Sequence, residues 1–168
     1  MIESATVLYG LSSSDTFCAK TCASSVLSEV MSQGWSTSVD LFAKDSELCD
    51  VTNDLNPETR ADHCMDAVEC VPIHAGPGVL FVVDPPYSET QVKRKYKTGL
   101  GKHHSLLSLS SALFSAFKES ACPGMGVLWC CWSSKGMGLS EGWKRAGHWT
   151  ICHGLVRPNT QIVLDVYT

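Results

Sequence analysis

The chain has 168 residues, of which 44% are hydrophobic and 18% charged, and its formal net charge is −4. That length and composition suit one α/β domain, residues 1–168, with a substantial core, and they exclude a disordered or membrane-embedded chain. An acidic total also excludes a protein coated in positive potential, so any hold on nucleic acid must come from a local patch.

The start, Met1-Ile2-Glu3-Ser4, lacks a basic n-region, and no apolar run approaches the roughly 18 residues of a membrane span, so the expected location is the cytoplasm. Nine cysteines without C-x-x-C spacing read as reduced thiols. Cys130-Cys131 and Cys152-His153 are adjacent pairs, whose side chains point to opposite faces of a strand and form no chelate, so no metal is expected.

Residues 5–10 read as a short strand or an extended lead-in. Ser12-Ser13-Ser14-Asp15 supplies N-cap residues, and Phe17, Ala19, Cys22, Val26, Val30 and Met31 predict a helix over 16–33 that stops at Gly34. Free N–H groups at such a start can also hold a carboxylate, which makes the Ser/Asp cluster a candidate for the amino-acid end of a cofactor. Thr37 to Ala43 reads as a strand, and Asp50 to Glu58 as a second strand with a polar end. Pro72 to Gly78 is a connector into Val79-Leu80-Phe81-Val82-Val83, a buried strand that runs into Asp84-Pro85-Pro86-Tyr87, where neither helix nor central strand can continue.

Beyond Tyr87 a basic loop is expected. Lys93, Arg94, Lys95, Lys97 and Lys102 fall within ten residues with no acidic residue between them, and Tyr96 is interleaved among them. Such a patch on an acidic body is a candidate footprint for a phosphate backbone and a splayed base. Leu106, Leu107, Leu109, Leu113, Phe114 and Phe117 predict a core-facing helix over 104–119. Gly126 to Trp132 reads as a second buried strand, and Ser133, Ser134 and Lys135 open a turn that is a further candidate nucleic-acid contact. Glu141 to Ala146 is expected to be a short helix, His148 to Gly154 to begin the closing strands, and Gln161 to Tyr167 to be the last strand, antiparallel to its neighbour. The alternation throughout predicts an α/β three-layer sheet.

Several segments, in this order, resemble the small phage and bacterial adenine-specific (N6) DNA methyltransferases. They are Ser14-Asp15-Thr16-Phe17, Asp40-Leu41-Phe42-Ala43, Thr52-Asn53-Asp54-Leu55-Asn56-Pro57, Asp66-Ala67, Asp84-Pro85-Pro86-Tyr87-Ser88 and Trp132 to Gly138. The resemblance implies a Rossmann-like class I methyltransferase fold, mostly parallel with an antiparallel last strand. It also implies S-adenosyl-L-methionine as cofactor and the exocyclic N6 amine of adenine in DNA as acceptor. Carried over residue by residue, Asp15, Thr16, Phe17, Asp40, Phe42, Ala43, Asn53, Asp54, Asp66 and Ala67 are expected to hold the cofactor. Asp54 would take the ribose hydroxyls and Asp66 the adenine amino group. In Rossmann-like methyltransferases at large the first strand ends in an Asp-x-Phe-x-Gly-x-Gly loop; here Asp40, Phe42 and Ala43 are kept and the glycines are not, as in the glycine-poor group that the chain resembles.

The chemistry of the tetrad agrees with that implication. Asp84 and the Pro85 carbonyl can accept the two amine hydrogens, Pro86 stiffens the turn, and Tyr87 can stack on a flipped base. Only about 25 residues separate Glu58 from Asp84, too few for a target-recognition insert there, so readout is expected from the basic loop, a homodimer or a partner protein. Three alternatives stay open: N6-adenine or N4-cytosine transfer on RNA or single-stranded DNA, an inactive methylase-like binding module, and an FMN-binding flavodoxin-like carrier. The last rests on the likeness of Val7 to Ser14 to a flavodoxin phosphate loop, and it leaves the Asp-Pro-Pro-Tyr tetrad unexplained.

Overall fold

A computed structural model describes residues 6–10, 21–95, 99–138, 140–154 and 158–168, with Arg94 and Lys95 described by backbone only. Its strands β1 (Thr6–Tyr9), β2 (Thr37–Asp40), β3 (Val51–Thr52), β4 (Val79–Val83), β5 (Gly126–Cys131), β6 (Trp143–Cys152) and β7 (Thr160–Tyr167) form one sheet in the order β1-β6-β7-β5-β4-β2-β3. All pairings are parallel except those of β7, which lies antiparallel between β5 and β6. The sheet is thus α/β and mostly parallel, with the last strand reversed as expected.

Burial explains why β4 is five apolar residues in a row. Leu80 and Val82 face a core shared with helix α1 (Cys22–Met31) through Ala23, Val26, Leu27 and Val30. Val79, Phe81 and Val83 face the other core, shared with α2 (Ala67–His74) and α4 (Leu106–Glu119) through Val71, Leu113 and Phe117. A strand covered on both sides has no polar face to alternate with.

Five sequence expectations change. Among the described residues α1 opens at Cys22 rather than near 16, because Thr21 is extended and its hydroxyl accepts from the Ser24 N–H at 3.2 Å. Pro72 lies inside α2, not in a connector; its ring removes one donor near the end of an eight-residue helix that stops at His74. The start of the basic loop is helical, as α3 (Glu89–Lys95), because Ser88 Oγ accepts from the Gln91 N–H at 3.1 Å and Gln91 Oε1 accepts from the Tyr87 N–H at 2.8 Å. Glu141 to Ala146 is not a helix: β6 begins at Trp143, with Trp143 buried, Lys144 exposed and Arg145 turned toward Asp165. Finally, Leu107 is 80% exposed, on the outer side of α4.

Candidate active site

From β2 the chain moves outward to β3, then crosses back over β2 through α2 to enter β4 on the other side. The order therefore reverses between β2 and β4, and in open α/β sheets ligands bind at the carboxyl ends of the strands at such a reversal. Three carboxylates cluster there: Asp40 ends β2, Asp54 lies two residues past β3, and Asp84 follows β4. Asp40 and Asp54 are 5% and 4% exposed. Burial pushes the Asp40 carboxyl up to about 7; the Phe42 N–H, which it accepts at 3.0 Å, opposes this, and the negative charges of Asp84 and Asp54 add to it.

The loop after β2 is held by its neighbours in place of glycines. Lys44 stands at the position of the first glycine of the Asp-x-Phe-x-Gly-x-Gly pattern, and it has φ 53°, the only positive φ outside glycine among the described residues. Asp54 accepts the Lys44 N–H at 3.0 Å and the Asn56 N–H at 2.8 Å, which fixes this left-handed turn to the end of β3. Asn53 is fully buried: its amide donates to the Leu41 and Met65 carbonyls and accepts the Met65 N–H, each at 3.2 Å. Its carbonyl accepts the Ala43 N–H at 2.9 Å. Asn53 and the buried Ala43 thus join the loops rather than line the space between them.

That space is an open cleft. The expected residues Phe42, Asp54, Asp66, Ala67 and Pro86 line it, together with Leu55, Leu100 and His103, which sequence reasoning had not singled out. Asp66 caps α2, accepting the Val68 N–H at 2.9 Å, and pairs with His103 Nε2 at 3.0 and 3.2 Å. Lys102, a candidate nucleic-acid contact, places its ammonium 2.6 Å from Glu69 and 3.8 Å from Asp66. Segment 99–103 is thereby strapped onto the start of α2 and walls the cleft. No local pattern marks His103, because its partner lies 37 residues away.

Pro86 connects this cleft to the tetrad. Pro85 and Pro86 are buried, and the Tyr87 hydroxyl donates to the Asp84 carboxylate. The Tyr87 ring lies 5.8 Å from that of Trp132, tilted by 44°. Trp132 follows β5, the parallel neighbour of β4, and was another residue the sequence reading had not assigned a role.

Ser133, Ser134 and Lys135 are exposed on a braced turn. Fully buried Asp165 accepts the Met137 N–H at 2.7 Å and Arg145 Nε at 2.5 Å, while Arg145 Nη2 donates to the Ser134 and Lys135 carbonyls at 3.2 and 3.1 Å. Gly136, at φ 49°, packs against Asp165 where a Cβ would collide with it. The Lys135 ammonium lies 5.7 Å over the Phe114 ring, which stacks on Trp129. Lys93 is exposed on α3, and Arg94 and Lys95 belong to the same helix. Asp15, Thr16, Phe17, Tyr96 and Lys97 lie outside the described residues.

Among the described residues, no three His, Cys, Asp or Glu side chains are placed to share a metal, eight cysteines are free thiols, and no helix is long and apolar enough to cross a membrane. No protein-family model, curated protein or solved structure matches the chain.

Proposed function

We propose that the protein is a Rossmann-like enzyme that transfers a methyl group from S-adenosyl-L-methionine to the N6 amine of adenine in DNA. One observation carries this reading: the Asp84-Pro85-Pro86-Tyr87 tetrad leaves β4 at the point where strand order reverses, and Pro86 also lines a cleft bearing Phe42, Asp54, Asp66 and Ala67. The reversed β7 between β5 and β6 supports the same architecture.

The cleft suits the cofactor in chemistry. Phe42, Leu55 and Leu100 offer apolar walls for an adenosyl group, and Asp54 offers carboxylate oxygens to ribose hydroxyls. Asp40, buried nearby, can supply negative charge toward a sulfonium. The cofactor would supply an electrophilic methyl group.

The remaining work falls to the chain. The N6 lone pair of adenine is delocalised into the ring, and a carboxylate at Asp84 that accepts one amine hydrogen, with the Pro85 carbonyl accepting the other, draws that pair toward nitrogen. The Tyr87 hydroxyl fixes the carboxylate's orientation, while its ring offers a face for a base turned out of its strand. Lys93 and Lys135 supply charge for the phosphate backbone, and sequence readout falls to the basic segment, a second copy or a partner protein. The reading is tested by digesting genomic DNA from cells that express the protein: N6-methyladenine above the level of cells expressing Asp84→Ala supports it, and equal levels oppose it.

A further inference from the structure

The roles above leave the exposed Trp132 unused. Trp132 is 50% exposed, whereas Trp129, Trp143 and Trp149 are buried. A tryptophan left open forgoes a large hydrophobic gain, and such residues concentrate where a flat apolar partner is bound. Its exposure does not come from an unbraced loop. Cys131 Sγ donates to the Ser133 carbonyl at 2.6 Å, and the Arg145 and Asp165 contacts hold residues 134–137. The indole is thus presented on a fixed turn, with the Tyr87 ring 5.8 Å away and the Tyr87 hydroxyl bonded to Asp84.

We propose that Trp132 is the second stacking wall for the target base, forming with Tyr87 an aromatic wedge that receives an unpaired adenine of a nucleic-acid strand; this rests on the adenine-N6 reading of the site. A purine presents two π faces, and each needs a ring about 3.5 Å away, so the pair opens from 5.8 Å to roughly 7 Å to admit it. At 44° the two rings are tilted rather than stacked face to face. Stacking accepts any base, so the choice of an exocyclic amine belongs to Asp84. The exposed hydroxyls of Ser133 and Ser134 and the Lys135 ammonium, next in the chain, provide donors for the flanking phosphates.

The test uses the full chain, a labelled single-stranded oligodeoxyadenylate as probe, and the variants Trp132→Ala and Trp132→Phe. Stacking on an aromatic is large enough that Trp132→Ala should weaken binding of the oligonucleotide roughly tenfold or more. Trp132→Phe should retain most of the affinity while losing the quenching of intrinsic fluorescence that the probe causes in the wild type. Calorimetric binding of S-adenosyl-L-methionine should be unchanged in both variants, which separates loss of a wall from loss of the fold. Wild-type affinity in Trp132→Ala, or no binding of the probe by the wild-type protein, overturns the proposal. Trp132-dependent binding without methyl transfer would keep the stacking wall and remove the N6 reading. Unaltered binding and transfer by Trp132→Ala would do the reverse.

Discussion

The hydroxyl of Tyr87 donates to the carboxylate of Asp84 three residues earlier, so one turn couples the group that would activate the amine to the ring that would hold the base. The two parts are separable by mutation. Tyr87→Phe keeps the ring and loses the bond, and is expected to slow methyl transfer by about tenfold with little change in oligonucleotide affinity. Tyr87→Ala loses both and should also weaken that affinity about tenfold. Steady-state kinetics alongside equilibrium binding reads the two effects apart.

Lys44 occupies a left-handed backbone conformation in which a side chain costs on the order of 1–2 kcal/mol. Lys44→Gly removes that strain while keeping the N–H that Asp54 accepts, and should raise unfolding stability by about 1 kcal/mol. Lys44→Val, β-branched, should lower it. Urea midpoints at constant slope report both.

Asp40 gives stability a defined dependence on pH. Its carboxyl is raised by burial from 3.8 to about 7, so between these values the folded protein holds a proton that the unfolded chain has released. Stability therefore falls as pH rises through that window, by up to about 4 kcal/mol in total from this group. Asp40→Asn keeps an acceptor for the Phe42 N–H and should flatten the loss between pH 5 and pH 8 in urea titrations. Affinity for a sulfonium cofactor should show the opposite trend in the wild type, strengthening as Asp40 ionises, and that gain should vanish in the variant.

Asp165 is fully buried, and Arg145 is its charge partner. Arg145→Ala leaves the carboxylate without that partner and should destabilise the fold by about 3–5 kcal/mol, whereas the apolar pair Arg145→Met with Asp165→Leu should cost less. Thermal unfolding of the two variants decides this.

Which parts of this arrangement the sequence revealed follows from the range over which each is determined. The β4 strand and its Pro-Pro stop were legible because burial on both faces and two prolines are written in adjacent residues. So was most of α4, although Leu107 shows that an apolar residue next to a core stripe need not join it. α3 was not legible as a helix, because the capping residues Ser88 to Gln91 are followed by a run of cations with no apolar periodicity to mark a helix. β6 was obscured because Trp143 and Arg145 face inward only in the presence of Tyr167 and Asp165 from β7. Gly142, at φ 80°, also stands where a Cβ would meet the Tyr167 ring, which a local reading cannot see. In the cleft, Asp54, Asp66 and Pro86 were legible through their motifs, while His103 and Trp132 owe their places to contacts made across long stretches of chain.

The central claim is tested most directly by transfer of labelled methyl from S-adenosyl-L-methionine to unmethylated double-stranded DNA, single-stranded DNA and RNA, with wild type beside Asp84→Ala and the modified nucleoside identified by mass spectrometry. The account predicts N6-methyladenine with the wild type and a loss of at least about 100-fold in the variant, because the group stabilising charge at the reacting nitrogen is gone. No label on any of the three polymers from folded wild-type protein, or equal label with Asp84→Ala, would contradict it.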